Sequence, residues 1–312
     1  MTVQTQSQAK ERKVAAVVVT YNRLALLKEC IAHLQQEDLP LSHLIVVDNA
    51  SDADTQDYLE SLGDQIVYLR LPENIGGAGG FNRGVRYFIE ETQDDFVWLM
   101  DDDTMVQRDS LTELINFAQQ KPDFGFLASD VRWTDGHRAK MNAPAPMNRL
   151  QKVPEEGAQP VQLQSATFVA ILFRRTVVEK IGLPITDFFI WGDDIEYSER
   201  AGRIAPGYFV PAARVLHKMK ANTGSSILKD GPDRIQRYFY AYRNKMYYLK
   251  KRDWYRRYRA RLRISLEYWQ LFFSKADHRA EKLATMRKAI RAGRHFHPKI
   301  EYANHYNSKD GK

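Results

Sequence analysis

The strongest constraint on this chain is an alternation. Short apolar runs rich in β-branched residues fall at Val14–Thr20, 44–47, 66–71 and 96–100, and residues of helical period or turn-forming residues separate them. Between the first two runs, Leu24, Leu27, Cys30, Ile31 and Leu34 recur at the spacing of one helix face. Further helices are expected around 58–62 and, after a glycine-rich loop, over about 82–91. Unbroken apolar strands suit a sheet covered on both faces. Strand alternating with helix therefore predicts an α/β fold with a doubly wound, Rossmann-like, mostly parallel sheet. Downstream, 124–131, 166–173 and 208–216 read as strands and 194–201 as a helix. Residues 135–160, rich in Pro, Gly and polar groups, read as a loop or acceptor lid.

In such sheets ligands bind beyond the carboxyl ends of the strands. Those ends carry Thr20-Tyr21-Asn22-Arg23, Asp48-Asn49-Ala50-Ser51, the segment 74–80, and Asp101-Asp102-Asp103. In extended backbone Asp101 and Asp103 face one side and Asp102 the other. Two carboxylates on one side repel unless a cation or proton lies between them, and oxygen ligands favour Mg²⁺ or Mn²⁺. A solvated acidic turn would have the same composition. The segment Gly76-Gly77-Ala78-Gly79-Gly80-Phe81 follows the third strand and has Asn82 where the dinucleotide fingerprint needs its last glycine. A dehydrogenase is disfavoured, and the segment is either a close backbone approach to a ligand or a tight structural turn. Further on, the aromatic run 188–191 ends in Gly192-Asp193-Asp194. A platform for stacking a sugar beside a general base fits this pattern, and so does a helix cap. His217 closes the strand 208–216, where an imidazole could join a metal site or serve only the core.

Taken in order, Val17 to Arg23, Val46 to Ser51, 74–84, the aspartate triplet and Trp191 to Tyr197 resemble family 2 of the inverting glycosyltransferases with the GT-A fold. The match covers about 14–217. Gly76 to Phe81, Asp101-Asp102-Asp103 and a late His217 are most similar to the galactofuranosyltransferase branch, and many other members carry asparagine where this chain has Phe81. The resemblance implies transfer of galactofuranose from UDP-galactofuranose to a glycan acceptor, lipid-diphosphate-linked, in cell-surface polysaccharide synthesis. By position, Thr20, Arg23 and Asp48 would hold the uridine or its ribose, with Gly76, Gly77, Asp101 and Asp102 along the donor. Asp101, Asp103 and His217 would bind Mn²⁺ or Mg²⁺, Asp194 would be the base, and Trp191 and Asp193 would position the acceptor. A rhamnosyltransferase-like relative using another nucleotide sugar is the alternative, as is a non-catalytic nucleotide-sugar or membrane-binding protein.

Charge divides the chain further. The net charge is +7, but between Arg234 and Lys299 the only acids are Asp253, Glu267, Asp277 and Glu281 among many Lys and Arg. Three parts are expected: a polar tail 1–13, a catalytic domain 14–232, and a basic, aromatic-rich helical region 233–312. Basic aromatic helices suit an anionic membrane surface, with Arg256, Arg257 and Arg259 the contacts first expected, or a solvated face packed on the catalytic domain. No nucleic-acid module accompanies the charge, and no nucleic-acid partner is expected. A single cysteine, Cys30, rules out an internal disulfide framework and is expected in the core. Residues 1–13 lack a signal-like apolar core, and no run approaches the roughly 20 apolar residues of a membrane span. A cytoplasmic protein, peripheral on the inner face of the cell membrane, is expected.

Overall fold

The computed structural model describes residues 12–304, so most of the expected tail 1–13 lies outside the described residues. One sheet organises the chain. β1 (Val14–Thr20) lies parallel to β2 (His43–Asp48), which in turn lies parallel to β3 (Val67–Arg70); β4 (Phe96–Asp101) flanks β1 on its other side, also parallel. Connections through α1 (Leu24–Gln35), α2 (Ala53–Ser61) and α3 (Gly76–Glu91) give the expected doubly wound half. β1 shows why its run had to be apolar throughout. Val14, Ala16 and Val18 pack with Leu27, Cys30 and Trp98 on one face, while Ala15, Val17 and Val19 pack with Phe81, Val85 and Phe88 on the other. Cys30 is buried, as expected.

The second half is mixed rather than parallel. After β5 (Thr104–Val106), α4 (Ser110–Gln120) and β6 (Phe126–Arg132) come β7 (Ala145–Pro146), β8 (Val161–Ser165), β9 (Ile171–Arg174), α5 (Arg175–Ile181), α6 (Asp193–Gly202) and β10 (Gly207–His217). The sheet order is β3-β2-β1-β4-β9-β6-β10-β8-β7, with β5 antiparallel to β10. β9 is antiparallel to both β4 and β6, whereas β6 and β10 are parallel, so the carboxyl ends of β4 and β10 share one edge.

Two expectations change. The strand read at 166–173 begins only at Ile171, because Ala166 N donates to Ser198 Oγ (3.0 Å) and Ala170 takes a φ of 54°, which keep 166–170 out of the ladder. The glycine segment is not a loop before a helix at Asn82; it is the first turns of α3. A Cβ on Gly80 or Gly84 would strike the side chains of Val19 or Val17, at 2.5 and 2.3 Å. Glycine there lets the helix press onto β1.

α7 (Ile235–Leu249), α8 (Trp254–Phe273) and α9 (Arg279–Arg294) complete the chain. α7 and α9 form a third core, in which Tyr242, Met246, Met286 and Ala289 meet Ile185 and Phe188. The C-terminal region therefore packs against the turn that leads into α6. No helix among the described residues is long and apolar enough to cross a membrane.

Candidate active site

Thr20, Asp48, Asp101 and His217 are each the last residue of a strand, so the fold delivers four of the candidate residues to the carboxyl edge by register alone. Asp102 and Asp103 turn from β4 into β5. Because β5 pairs with β10, Thr104 lies opposite His217 and Lys218 N donates to the Asp103 carbonyl (2.9 Å). That pairing brings the distant histidine to the aspartates. Ligand atoms of Asp101, Asp103 and His217 all fall within 4.8 Å of one another.

The three aspartates divide as alternation predicts, although only Asp101 is in strand. Asp102 turns inward: Thr20 Oγ1 donates to its Oδ2 (2.7 Å) and Arg23 Nη1 to its Oδ1 (2.8 Å). Arg23 Nη1 also lies 2.9 Å from Asp103 Oδ2. Burial pushes the Asp102 carboxyl up to about 6, against the pull of Arg23 and Thr20. Asp101 is held well above the usual carboxylate range, first by burial and then by repulsion from Asp103 and Asp102, with Asp193 adding to it. Burial also opposes ionisation of Asp103, but His217 and Arg23 outweigh it and the net shift is downward.

These residues fit a divalent cation. Asp103 Oδ1 is buried 3.0 Å from His217 Nε2, yet without the alignment of a hydrogen bond, so it has no satisfied partner. The ring is turned to present Nε2 because Nδ1 faces Asn142 Oδ1 (2.9 Å), and Asn142 Nδ2 donates to Thr167 Oγ1 (2.8 Å). Two carboxylates and an imidazole oriented from behind form a donor set that suits Mn²⁺. Asn142→Ala is accordingly expected to weaken Mn²⁺ binding by about 10- to 100-fold, as the loss of an outer-shell partner usually does. Calorimetric titration of the folded variant checks this, and unchanged affinity would remove Asn142 from the account.

Beside this cluster lies the turn into α6. Gly192, at φ 92°, precedes Asp193, and Phe189 and Trp191 also adopt positive φ, both 62°. Such backbone is costly and persists only where its surroundings fix it. Asn244 of α7 is what fixes it. Fully buried, it donates through Nδ2 to the carbonyls of Phe188 (2.9 Å), Ile190 (3.2 Å) and Trp191 (2.9 Å). The same turn contacts α3: Ala78 N donates to the Phe189 carbonyl (3.1 Å), and any Cβ on Gly76, at φ 77°, would meet that oxygen at 2.1 Å. The Gly76 N–H is taken by Asn74 Oδ1. Gly76 thus lets two backbones meet, whereas Gly77 has open space around it.

Asp193 and Asp194 open α6 without capping it; Gly192 is the cap residue. Asp194 Oδ1 accepts from Ile195 N (2.7 Å). Burial raises both carboxyls, and the neighbouring charge of Asp194 adds to the rise at Asp193. Trp191 is half-buried with its ring edge-on to Tyr238, 5.2 Å between centroids. Asp48 is wholly buried and accepts from Ser51 N (2.8 Å) and Tyr68 Oη (3.0 Å), with Arg70 paired to it as well. Asn49 beside it clasps the start of α3 through Ile75 N and the Gly76 carbonyl, both 2.9 Å. Nothing local in the sequence marks Asn142 or Arg70, and the role of Asn244 lies in a turn far from it in the chain, around Phe188 to Trp191.

The family model for glycosyl transferase family 2 matches residues 15–182. The chain belongs to this family. The family 2 chain is 27% identical over 252 residues to the galactofuranosyltransferase GlfT1 of Mycolicibacterium smegmatis, a match covering 76% of this chain and 83% of that relative. Solved structures place it in the GT-A fold. The mannosyltransferase PcManGT from Pyrobaculum calidifontis, solved with GDP-Man and Mn²⁺, superposes with a TM-score of 0.54 at 16% identity, covering 92% of this chain and 74% of that one. S. aureus TarS 1-349 gives 0.53 at 14% identity, covering 89% and 71%. The protein is a glycosyltransferase, and its acidic cluster is of a kind that holds a divalent metal.

Proposed function

We propose that this glycosyltransferase moves galactofuranose from UDP-galactofuranose to a lipid-diphosphate-linked glycan during assembly of a cell-surface polysaccharide. The observation that carries the reaction is the meeting of Asp101, Asp103 and His217 within 4.8 Å, with Asp193 close enough to raise Asp101 further. The similarity to GlfT1 over 76% of the chain supports the donor sugar.

Asp101, Asp103 and His217 would hold Mn²⁺ or Mg²⁺, which would supply positive charge to stabilise the leaving diphosphate. Thr20 and Arg23 fix the aspartate turn through Asp102, the exposed part of Arg23 would meet the uridine or its ribose, and buried Asp48 would act there only by holding the loop after β2 through Ser51 N. Gly77 leaves room at the start of α3 for the donor. Trp191 and Asp193 orient the acceptor. The acceptor hydroxyl oxygen forms a bond to the anomeric carbon while the bond from that carbon to the diphosphate oxygen breaks, and UDP departs with the electron pair. The hydroxyl proton passes to Asp194, and attack from the face opposite the leaving group inverts the centre. Residues 14–232 carry this chemistry. Residues 233–312 support it and hold the enzyme at the cytoplasmic face of the membrane that bears the acceptor.

A donor panel tests this reading. With Mn²⁺ and a membrane extract supplying acceptor, UDP-galactofuranose is expected to add a hexose by product mass, while UDP-galactose, GDP-mannose and dTDP-rhamnose leave the acceptor unchanged. Transfer from dTDP-rhamnose in place of UDP-galactofuranose would overturn the donor assignment.

A further inference from the structure

α8 is twenty residues long, yet only Ile264 and Leu271 on it are buried. On the opposite side Trp254, Tyr258, Leu262, Leu266, Trp269 and Phe273 recur every three or four residues, a continuous apolar stripe about 28 Å long at 1.5 Å per residue. All six are exposed, Trp254 at 73% and Phe273 at 77%. At 100° per residue, Arg259 and Arg263 run along one edge of the stripe and Arg261 along the other. These three are exposed and have no ion-pair partner among the described residues. At the far end, Tyr268, Phe272, Phe273 and Leu283 line a groove of about 500 Å³ that also takes in Arg279 and Arg287.

We infer that α8 is an interfacial helix, lying flat on an anionic bilayer with this stripe among the acyl chains and its arginines at the headgroup phosphates. A contiguous exposed apolar face of this size marks a contact surface, and three observations select the occupant. The only acid on α8 is Glu267, which lies on the half-buried side, so a second copy meeting this face symmetrically would set arginine against arginine. Arginines flank the stripe closely, and no described helix is apolar enough to span, so the helix lies on the surface rather than crossing it. Trp254 and Tyr258 on one side and Trp269 on the other bracket Leu262 and Leu266 along the stripe, and such amphipathic rings suit the boundary between headgroups and chains. The contact differs from the one expected from the basic run. Arg256 is half-buried, joined to Asp253 (3.2 Å) and reaching the Met147 carbonyl (3.5 Å), and Arg257 is half-buried too.

The purpose of the contact rests on the lipid-linked acceptor proposed above; the contact itself does not. Arg252, two residues before α8, pairs with Glu199 of α6. Glu199 lies about 7.5 Å along that helix from Asp194. A bilayer under α8 would therefore keep the opening of α6 near the surface from which such an acceptor projects.

The test is flotation of the full chain with phosphatidylcholine vesicles, with and without phosphatidylglycerol. Wild type is expected to bind the anionic vesicles and to release as salt rises. The double substitution Trp269→Glu with Phe273→Glu should weaken binding by about tenfold or more, and Arg259→Gln, Arg261→Gln and Arg263→Gln together should weaken it less. Both should keep the wild-type melting temperature and activity on a short soluble acceptor, since all five side chains are exposed. Absence of wild-type binding, or unchanged binding by the double variant, would overturn the inference. So would a dimer in sedimentation that the double variant splits while vesicles capture nothing. Vesicle binding without transfer from UDP-galactofuranose would leave α8 at the membrane and overturn the donor reading alone.

Discussion

Asp194→Asn is expected to lower turnover by about 10²- to 10⁴-fold, with nucleotide affinity close to wild type. The substitution isolates one property. An asparagine at 194 can still accept the Ile195 N–H that Asp194 Oδ1 accepts at 2.7 Å, so the first turn of α6 keeps its local bond. Loss of a carboxylate there costs the helix terminus only about 0.5 kcal/mol. What disappears is a group able to take the acceptor proton, at a position where burial already raises proton affinity. Steady-state turnover beside calorimetric UDP binding separates the outcomes. Weakened UDP binding with turnover intact would make Asp194 structural and leave Asp193 as the base.

Asn244→Ala is expected to damage both stability and activity, although Asn244 belongs to a helix that carries none of the proposed chemistry. One buried side chain holds three carbonyls of a turn in which Phe189, Trp191 and Gly192 all adopt positive φ. A buried polar group left without its partner costs about 1–3 kcal/mol, so a loss of about 3 kcal/mol or more is expected in denaturant unfolding. Once released, the turn can relax toward ordinary backbone and displace Asp193 and Asp194. A shift near 1 Å in reacting groups costs about 10²-fold in rate. Asn244→Asp should be worse than Ala, because it offers no donor and sets a carboxylate against three carbonyl oxygens. If Asp were the milder of the two, Asn244 would hold the turn by its volume rather than by its hydrogen bonds.

Much of the site was legible because strand ends are legible. An apolar run that stops at a polar residue places that residue on the carboxyl edge, which is how Thr20, Asp48, Asp101 and His217 could be named from sequence. The alternation of the aspartates also survived the end of β4, with Asp101 and Asp103 turned to His217 and Asp102 turned to Thr20, while Arg23 bridges Asp102 and Asp103. Glycine was the ambiguous signal. A run from Gly76 to Gly80 fits a ligand loop or a helix pressed onto a strand, and only the distances to Val17, Val19 and the Phe189 carbonyl decide for the second. Antiparallel β9 was hidden because a buried strand has the same composition in either direction. α4 was overlooked although Leu111, Leu114, Ile115 and Ala118 carry a helical period and are buried. In the tail, charge drew notice to Arg256 and Arg257, yet exposure sets the stripe of α8 apart, and exposure requires knowing which side faces α7 and α9.

Metal-dependent, inverting transfer is the chemistry proposed for the cluster at the ends of β4 and β10. The most direct measurement is the anomeric configuration of the product formed from UDP-galactofuranose, followed by NMR with Mn²⁺ present, after chelation, and in Asp103→Ala. An inverted product is expected that forms with the metal, stops on chelation, and is absent for the variant. A retained configuration, or undiminished product in chelator, would contradict this.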